Sequence, residues 1–217
     1  MKCFIKSLLA GFAISLGGWI YLCVNQKMDN NVLAAFLFSF GLILICNFGF
    51  NLYTGKICYL FDKSKKKLGS KLLDMVIILL GNLMGTLIFG LLIRLVTSSG
   101  NDLLFKGLDE IVETKINYPW YEALGRAFFC GMLVYIAVEG FKTIENNFGK
   151  YVVLVLAIGG FIVCGFEHSI ANMFYYFLSV TFTPSAFLSL LLFVIGNSLG
   201  GLFIPLMNNL INLYKGE

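Results

Sequence analysis

The chain contains a single histidine, His168, which lies in an apolar stretch beside two other side chains that could do chemistry. Glu167 precedes it, and Asn172 follows one helical turn later. Ionisable side chains inside a membrane span are costly and usually face a cavity, and histidine exchanges a proton near neutral pH. We therefore expect His168 to contact a transported solute. The alternative is a structural histidine that ties down a break in the helix.

Glu167 is adjacent to His168, so on a helix its side chain would point elsewhere. We expect it to be a buried structural partner for free backbone or hydroxyl groups. A membrane enzyme that uses Glu167 and His168 is a weaker alternative, because no nucleophile, metal cluster or cofactor motif accompanies them. The six cysteines form no CxxC pair and mostly lie in apolar runs, which is typical of small core residues. The sequence thus predicts neither an enzyme nor a cofactor or metal site.

The composition indicates a membrane protein that forms one transmembrane domain over residues 1–217. Of the 217 residues, 59% are hydrophobic and 13% are charged, and a soluble domain of this size needs more charge to cover its surface. The formal charge of +4 includes no basic array that could follow a phosphate backbone, so nucleic acid is not an expected partner.

The chain has six apolar runs that reach the length of about 20 residues needed to cross a bilayer. They are Phe4–Val24, Val32–Phe61, Leu72–Val96, Trp120–Phe141, Tyr151–Leu178 and Ala186–Leu213. The first has no small-residue cleavage site before Asn25, so it is expected to be a membrane helix and not a signal peptide.

The second and fifth runs are too long for one simple span, and both contain glycines and polar residues near the middle. Irregular backbone survives in a membrane only inside protein or beside a cavity. Two broken helices therefore predict a pore or a substrate site. The alternative is a pair of tilted, continuous helices with buried polar residues.

An internal repeat accompanies these breaks. Gly81–Gly85 and Gly196–Gly200 both follow the pattern Gly-Asn-x-x-Gly, and each lies one span after a broken helix. Three spans in each half force the halves into opposite orientations, which is an inverted repeat with its site near the midplane. Asn82 and Asn197 are expected to be structural polar residues. The glycines also suit close helix packing.

Lysines predict the orientation of the chain. The loop Asp62–Lys71 holds five of them and should be cytoplasmic by the positive-inside rule. The loop Ser98–Pro119 mixes lysines with carboxylates and should be external. With six spans, both termini of this multi-pass protein are then cytoplasmic, in the cell membrane (the cytoplasmic membrane of a prokaryote).

The segment Gly165–Met173 resembles the signature of the formate/nitrite transporter family. The stretch Gly41–Gly55 and both Gly-Asn-x-x-Gly segments also resemble that family, and the match covers nearly the whole chain. The resemblance implies an all-α protein with six transmembrane helices in an aquaporin-like inverted 3+3 repeat. It further implies a homopentamer that carries small monovalent anions such as formate, nitrite, hydrosulfide or lactate.

The resemblance also assigns roles to individual residues. His168 matches the central pore histidine, Asn172 the asparagine one turn later, and Thr54 the loop threonine that faces the histidine. Lys115 matches the lysine of the external vestibule. The apolar residues of the two pore constrictions are matched by Phe38, Leu42 and Phe161. Without the resemblance, these three would be packing residues, Thr54 a partner of helix-end backbone, and Lys115 a solvated charge.

One departure from the family concerns the middle of the fourth span. The family usually has Cys-Asn there, and this chain has Cys130-Gly131. A hydrogen bond near the histidine loop is therefore expected to be missing or supplied by another group. The short N-terminal segment also predicts that no N-terminal gating helix is present.

The predicted function is a channel for small weak-acid anions, with formate or nitrite as examples and hydrosulfide or lactate as alternatives. Lys115 would raise the anion concentration at the outer mouth. The anion would gain a proton as its surroundings become less polar, and His168 would serve as proton donor or as hydrogen-bonding element. A channel for neutral water or ammonia is the runner-up and would not need Lys115. A non-conducting scaffold is disfavoured by the polar breaks.

Overall fold

The computed structural model describes residues 1–62, 66–97 and 102–214, and the side chains of all of these except Asp102 and Tyr214. Within them the chain forms ten α-helices and no strand, in agreement with the expected all-α class. The helices are α1 (Lys2–Met28), α2 (Asn31–Phe38), α3 (Phe40–Phe48), α4 (Tyr53–Lys56), α5 (Leu68–Thr97), α6 (Asp102–Ile116), α7 (Trp120–Thr143), α8 (Asn147–Val163), α9 (Ser169–Ser179) and α10 (Pro184–Tyr214). A 3₁₀ turn, Ile57–Tyr59, follows α4. Three of the lysine-rich loop's residues, 63–65, and the first four of the predicted external loop, 98–101, lie outside the described part.

Five helical segments are long and apolar enough to cross a membrane, when α2 and α3 are counted as one. The remaining apolar run contributes the shorter helix α8, of 17 residues. Large apolar side chains on the outside of the long helices are exposed, among them Leu95 at 75% and Phe187 at 72%. Such surfaces require an apolar solvent, and the chain is a multi-pass membrane protein.

The structure interrupts the second and fifth apolar runs. The second turns at Gly49, between α3 and α4, where φ is 63°. The fifth turns at Gly165, between α8 and α9, where φ is 67°. Both angles lie in the left-handed region that glycine adopts at low cost. The alternative of two continuous helices is therefore wrong.

The predicted external loop is largely a helix, α6. Its buried residues Leu104, Leu108 and Val112 recur every four positions, as on an amphipathic helix, and α6 contacts α1, α9 and α10. This packing brings Lys115, in the last turn of α6, to the molecular interior, where its side chain is 16% exposed. From the sequence, this connection was assigned a side of the membrane but no secondary structure, and the structure adds the helix.

The repeated glycines allow two pairs of helices to touch through their backbones. Helix α1 packs along α5, and α7 packs along α10. A Cβ atom at Gly85 would lie 2.2 Å from the Leu8 carbonyl oxygen, and one at Gly200 would lie 1.8 Å from the Phe128 carbonyl oxygen. Both glycines thus serve the close helix approach that small residues permit in membranes.

Candidate pore

Asn82 on α5 fixes the first helix break. Its Oδ1 accepts a hydrogen bond from the Tyr53 amide at 2.8 Å. Its Nδ2 donates to the carbonyl oxygens of Ser7 at 2.7 Å and Asn51 at 2.9 Å. A helix break leaves backbone groups without partners, which is expensive away from water. Asn82 satisfies two such groups at the break, the Tyr53 amide and the Asn51 carbonyl oxygen, and its bond to Ser7 ties the break to α1.

Asn197 on α10 does the same at the second break. Its Oδ1 accepts from the Ser169 amide at 2.8 Å, and its Nδ2 donates to the carbonyl oxygens of Ala127 at 2.8 Å and Glu167 at 2.9 Å. The two asparagines of the Gly-Asn-x-x-Gly segments therefore bind equivalent sets of backbone atoms.

The two breaks bring His168 and Thr54 together. His168 Nε2 lies 2.9 Å from Thr54 Oγ1, and both side chains are buried. His168 Nδ1 accepts a hydrogen bond from the Ala171 amide at 3.2 Å, so this nitrogen carries no proton. The hydrogen-bond network thereby assigns the tautomer with its proton on Nε2, which donates to Thr54.

Apolar side chains surround this polar pair. The rings of Phe38 and Phe161 meet edge to face with centroids 6.1 Å apart, and Phe161 stacks on the His168 imidazole at 5.8 Å. Leu42, one turn after Phe38, is 1% exposed. Phe161 thus lies against the histidine and Phe38 against Phe161, whereas Leu42 lines a different cavity from His168.

Two cavities open on either side of these residues. The first, of about 220 Å³, is lined by Phe38, Phe161 and His168 together with Lys115, Glu167 and Asn172. The second, of about 310 Å³, is lined by Leu42 and by Leu52 and Gly55, the residues that flank Tyr53 and Thr54. Leu52 was missed by the sequence analysis. Its position in the break, two residues before Thr54, was the available signal.

The polar residues of the first cavity form a connected group. Lys115 Nζ and Asn172 Nδ2 both donate to Glu167 Oε2, at 2.5 Å and 2.7 Å. Glu167 is 2% exposed, and a buried carboxylate needs such partners. Glu167 was expected to be a buried structural partner for backbone or hydroxyl groups; the structure adds a cation, Lys115, which α6 brings to it. Asn172 lines the cavity, as expected, but its amide is engaged with Glu167.

Arg126 on α7 is a second residue that the sequence analysis missed. Its Nη1 donates to the Gly165 carbonyl oxygen at 2.8 Å, and its own carbonyl oxygen accepts from the Glu167 amide at 3.4 Å. The guanidinium also lies 4.7 Å from the centre of the Tyr118 ring, a favourable cation–π distance. Arg126 therefore holds the segment that precedes His168. The signal in the sequence was a single cationic residue within the fourth apolar run, Trp120–Phe141, where a charge is costly without a partner.

The structure explains the glycine at position 131. A Cβ atom there would lie 2.2 Å from the carbonyl oxygen of Asn197. Gly131 is thus one of the points at which α7 touches α10, and no side chain fits there at this separation of the helices. The hydrogen bonds of the histidine loop are supplied instead by Asn197 and Arg126.

Comparisons with known proteins place the chain in a family. The model of the family described as "Formate/nitrite transporter" matches residues 1–211. The formate channel FocB of Escherichia coli (strain K12) is 26% identical over 180 residues, which cover 79% of this chain and 64% of FocB. The formate channel FocA of the same strain is 27% identical over 187 residues, which cover 80% of this chain and 65% of FocA. This chain therefore spans slightly less than two thirds of the length of both relatives.

A solved structure described as a pentameric formate channel with formate bound has the same fold. It aligns with a TM-score of 0.85 at 24% identity, over 98% of this chain and 97% of that one. The resemblance inferred from the sequence is confirmed: this chain belongs to the formate/nitrite transporter family, a family of channels and transporters and not of enzymes.

Proposed function

We propose that this chain is a membrane channel for small monovalent anions of weak acids, such as formate or nitrite. The observation that carries the proposal is the buried hydrogen bond between His168 and Thr54, which lies among Phe38, Phe161 and Leu42 with a cavity on either side. A polar pair in an apolar passage can hydrogen-bond a small solute that has left water. The formate channels among the relatives support the same substrate class.

We propose six membrane spans arranged as an inverted 3+3 repeat. Helices α2 to α4 form the broken second span, and α8 with α9 forms the broken fifth span. The matched hydrogen bonds of Asn82 and Asn197, and the matched turns at Gly49 and Gly165, support two equivalent halves. Three spans per half reverse the orientation of one half relative to the other.

The proposed orientation has the second cavity open to the cytoplasm, with both termini on that side of the cell membrane. Lys6 near the N-terminus donates to the carbonyl oxygen of Gly49 at 3.1 Å, and Gly49 lines the second cavity. The lysine-rich segment lies at the same end, because Lys71 and Lys56 line one neighbouring cavity.

The solved pentameric relative supports a homopentamer.

In the proposed mechanism, the anion is protonated before it passes the apolar residues. A bare charge pays a large desolvation penalty in such a passage, and desolvation raises the pKa of a weak acid, so the acid becomes neutral by taking up a proton. The neutral acid then accepts a hydrogen bond from His168 Nε2–H. It can also donate a hydrogen bond to the Thr54 hydroxyl or accept one from it. Passage is thereby coupled to transient protonation beside the central histidine.

The experiment that tests this function is a panel of fluxes in proteoliposomes. Formate, nitrite, hydrosulfide and lactate would be compared at several pH values, with empty liposomes as the control. We expect at least one of these anions to pass much faster than through empty liposomes, and faster as the external pH falls. Flux at the level of empty liposomes for all four would contradict the proposal.

A channel for a neutral solute is the second candidate, and one observation favours it. The two charged lining residues of the first cavity, Lys115 and Glu167, neutralise each other, so this cavity need not attract an anion. Ammonia or water flux without anion flux in the same proteoliposomes would establish this alternative.

A further inference from the structure

The second cavity carries a net charge that the first does not. Of the residues that line it, two are charged, and both are cations, Lys56 and Lys142. The first cavity combines the cation Lys115 with the buried carboxylate Glu167 at 2.5 Å. The two mouths of the passage therefore differ in charge.

Neither lysine of the second cavity is closely neutralised. Within the ranges that the structure describes, Lys56 forms no ion pair. The carboxylate paired with Lys142 belongs to Glu139, at a distance of 4.0 Å, and the Lys142 side chain is 64% exposed. An exposed pair at this separation is weak, so most of the ammonium charge remains available to an anion.

Tyr59 explains why Glu139 does not approach Lys142 more closely. The Tyr59 hydroxyl donates to Glu139 Oε2 at 2.5 Å. The Lys142 ammonium lies 4.7 Å from the centre of the Tyr59 ring, within the range of a cation–π contact. Tyr59 and Lys142 line the cavity, and Glu139 is not among its lining residues. One tyrosine thus holds the carboxylate outside the cavity and the cation at its wall.

We infer that the second cavity is a capture site for small monovalent anions, formed by the ammonium groups of Lys56 and Lys142 and kept positive by Tyr59, which holds Glu139 outside it. The inference rests on the proposed function and adds a sidedness to it. A mouth lined by one sign of charge concentrates counter-ions, and here the apolar Leu42 and Leu52 close its inner end. The channel binds its anion more tightly from the second-cavity face than from the first.

The test uses sealed membrane vesicles that contain the full-length protein in each of the two orientations. In a background without the native cysteines, Ser70→Cys identifies by impermeant labelling the preparation in which the second cavity faces outward, because its neighbour Lys71 shares an adjoining cavity with Lys56. The half-saturating concentration for initial formate uptake is measured in both. Lys56→Met and Lys142→Met should raise it roughly two- to fivefold from the second-cavity face, the range expected for an exposed charge, and leave it unchanged from the other face.

Lys150→Met is the matched control, because it removes one positive charge at the same end of the molecule. Lys150 lies over the Phe141 ring at 5.2 Å and is not among the residues that line the second cavity. Its half-saturating concentrations should equal those of the wild type from both faces. A rise as large as that of Lys142→Met would show a general effect of charge and overturn the capture site.

The role of Tyr59 has its own test. Tyr59→Phe keeps the ring but frees Glu139, which can then pair with Lys142, so the half-saturating concentration should rise about as much as in Lys142→Met. Adding Glu139→Gln to Tyr59→Phe should restore the wild-type value. A Tyr59→Phe variant that behaves as the wild type would overturn the role of Tyr59.

The remaining outcomes separate the inference from the function on which it rests. Saturable formate uptake with equal half-saturating concentrations from both faces, unchanged by both lysine substitutions, would overturn the capture site and leave the channel function intact. No formate uptake by the wild type would overturn the proposed function, and the capture site with it.

Discussion

The Nδ1 atom of His168 lies 3.2 Å from the backbone nitrogen of Ala171 and accepts a hydrogen bond from it. His168 is therefore the N-cap of α9 in addition to being the hydrogen-bond partner of Thr54. The amide of Ala171 can only donate, so a doubly protonated imidazole would have to give up this cap. This relationship favours a neutral ring that donates through Nε2, rather than a ring that releases its proton to the solute.

The first prediction concerns His168→Asn. Asparagine is a strong N-cap residue, so α9 should stay capped and the protein should remain folded. The imidazole's hydrogen bond to Thr54 and to the passing acid would be lost, and formate flux should fall about two- to tenfold, since a hydrogen bond contributes roughly 0.5–1.5 kcal/mol. The pH at which flux is half-maximal should not move, because the hydrogen bond from the Ala171 amide favours a neutral imidazole in the wild type and asparagine does not titrate.

His168→Phe is the companion variant. It removes the cap and the hydrogen bond together, so it should lower flux further and destabilise the protein by roughly 1 kcal/mol. A shifted pH midpoint in His168→Asn would instead assign proton exchange to the imidazole. Wild-type flux and an unchanged pH profile in both variants would make the histidine structural and contradict the mechanism.

The second prediction concerns the asparagine that fixes the second break. Asn197→Ala leaves the Ser169 amide and the Glu167 carbonyl oxygen at the break without their partner, and it removes the bond to Ala127 of α7. A buried polar group without a partner costs about 1–3 kcal/mol, so the free energy of unfolding should fall by roughly 3 kcal/mol or more. Thermal unfolding in mild detergent measures the loss.

Asn117→Ala is the control for this substitution. Asn117 is exposed and donates to the carbonyl oxygen of Glu113, so its loss should change stability by no more than about 0.5 kcal/mol. Equal effects of the two substitutions would show that Asn197 does not support the break.

The third prediction compares two glycines of α7. Gly131→Ala places a Cβ atom 2.2 Å from the Asn197 carbonyl oxygen, and such overpacking typically costs about 1–3 kcal/mol. Gly125 has no neighbouring atom within 4 Å of an added Cβ, so Gly125→Ala should be neutral or stabilise the helix by up to about 1 kcal/mol. Thermal unfolding distinguishes them.

Gly131→Asn, which introduces the residue usual in the family, should destabilise the protein at least as much as Gly131→Ala. The larger side chain needs α7 and α10 to move apart, because even a Cβ atom at this position would lie 2.2 Å from the Asn197 carbonyl oxygen. Unchanged stability of both variants would show that the two helices are free to separate.

The fourth prediction concerns the ion pair of the first cavity. Lys115→Met leaves Glu167 buried without its cation, and breaking a buried pair costs roughly 3–5 kcal/mol. Flux should fall by the same factor at low and at high ionic strength, because screening by mobile ions acts on exposed charges. The long-range attraction expected from the sequence would instead give a larger loss at low salt.

The double variant Lys115→Met with Glu167→Gln separates the two roles. Removing both charges should recover much of the stability lost in Lys115→Met, because no unpaired buried charge remains. A double variant no more stable than Lys115→Met would show that the lysine acts apart from Glu167.

The fifth prediction concerns topology. In a background from which the six native cysteines have been removed, Ser70→Cys should resist an impermeant thiol reagent in intact cells and react once the cells are permeabilised. Its neighbours in the chain are rich in lysine, which the positive-inside rule places in the cytoplasm. Ready labelling in intact cells would reverse the proposed orientation, and with it the side on which the second cavity opens.

Much of the fold was predictable because it depends on local composition. Apolar length predicts helices wherever about 20 apolar residues follow one another, and the long helices and the interruptions at Gly49 and Gly165 follow the sequence pattern. The pairing of His168 with Thr54 came from the resemblance to a family and not from spacing. The helical conformation of α6 was not predicted, because its buried apolar residues are interspersed with charged ones.

The sequence by itself determined that this protein lies in a membrane, where its helices break, and which family it belongs to. The tertiary structure decided which partner each polar side chain has. Glu167 accepts a hydrogen bond from Lys115, which is 52 positions away in the sequence, and Glu139 accepts one from Tyr59, which is 80 positions away. The physical reason is that a charged group in an apolar interior takes whichever partner packing brings within hydrogen-bond distance, and that distance depends on how α6, α7 and the broken helices are arranged in space.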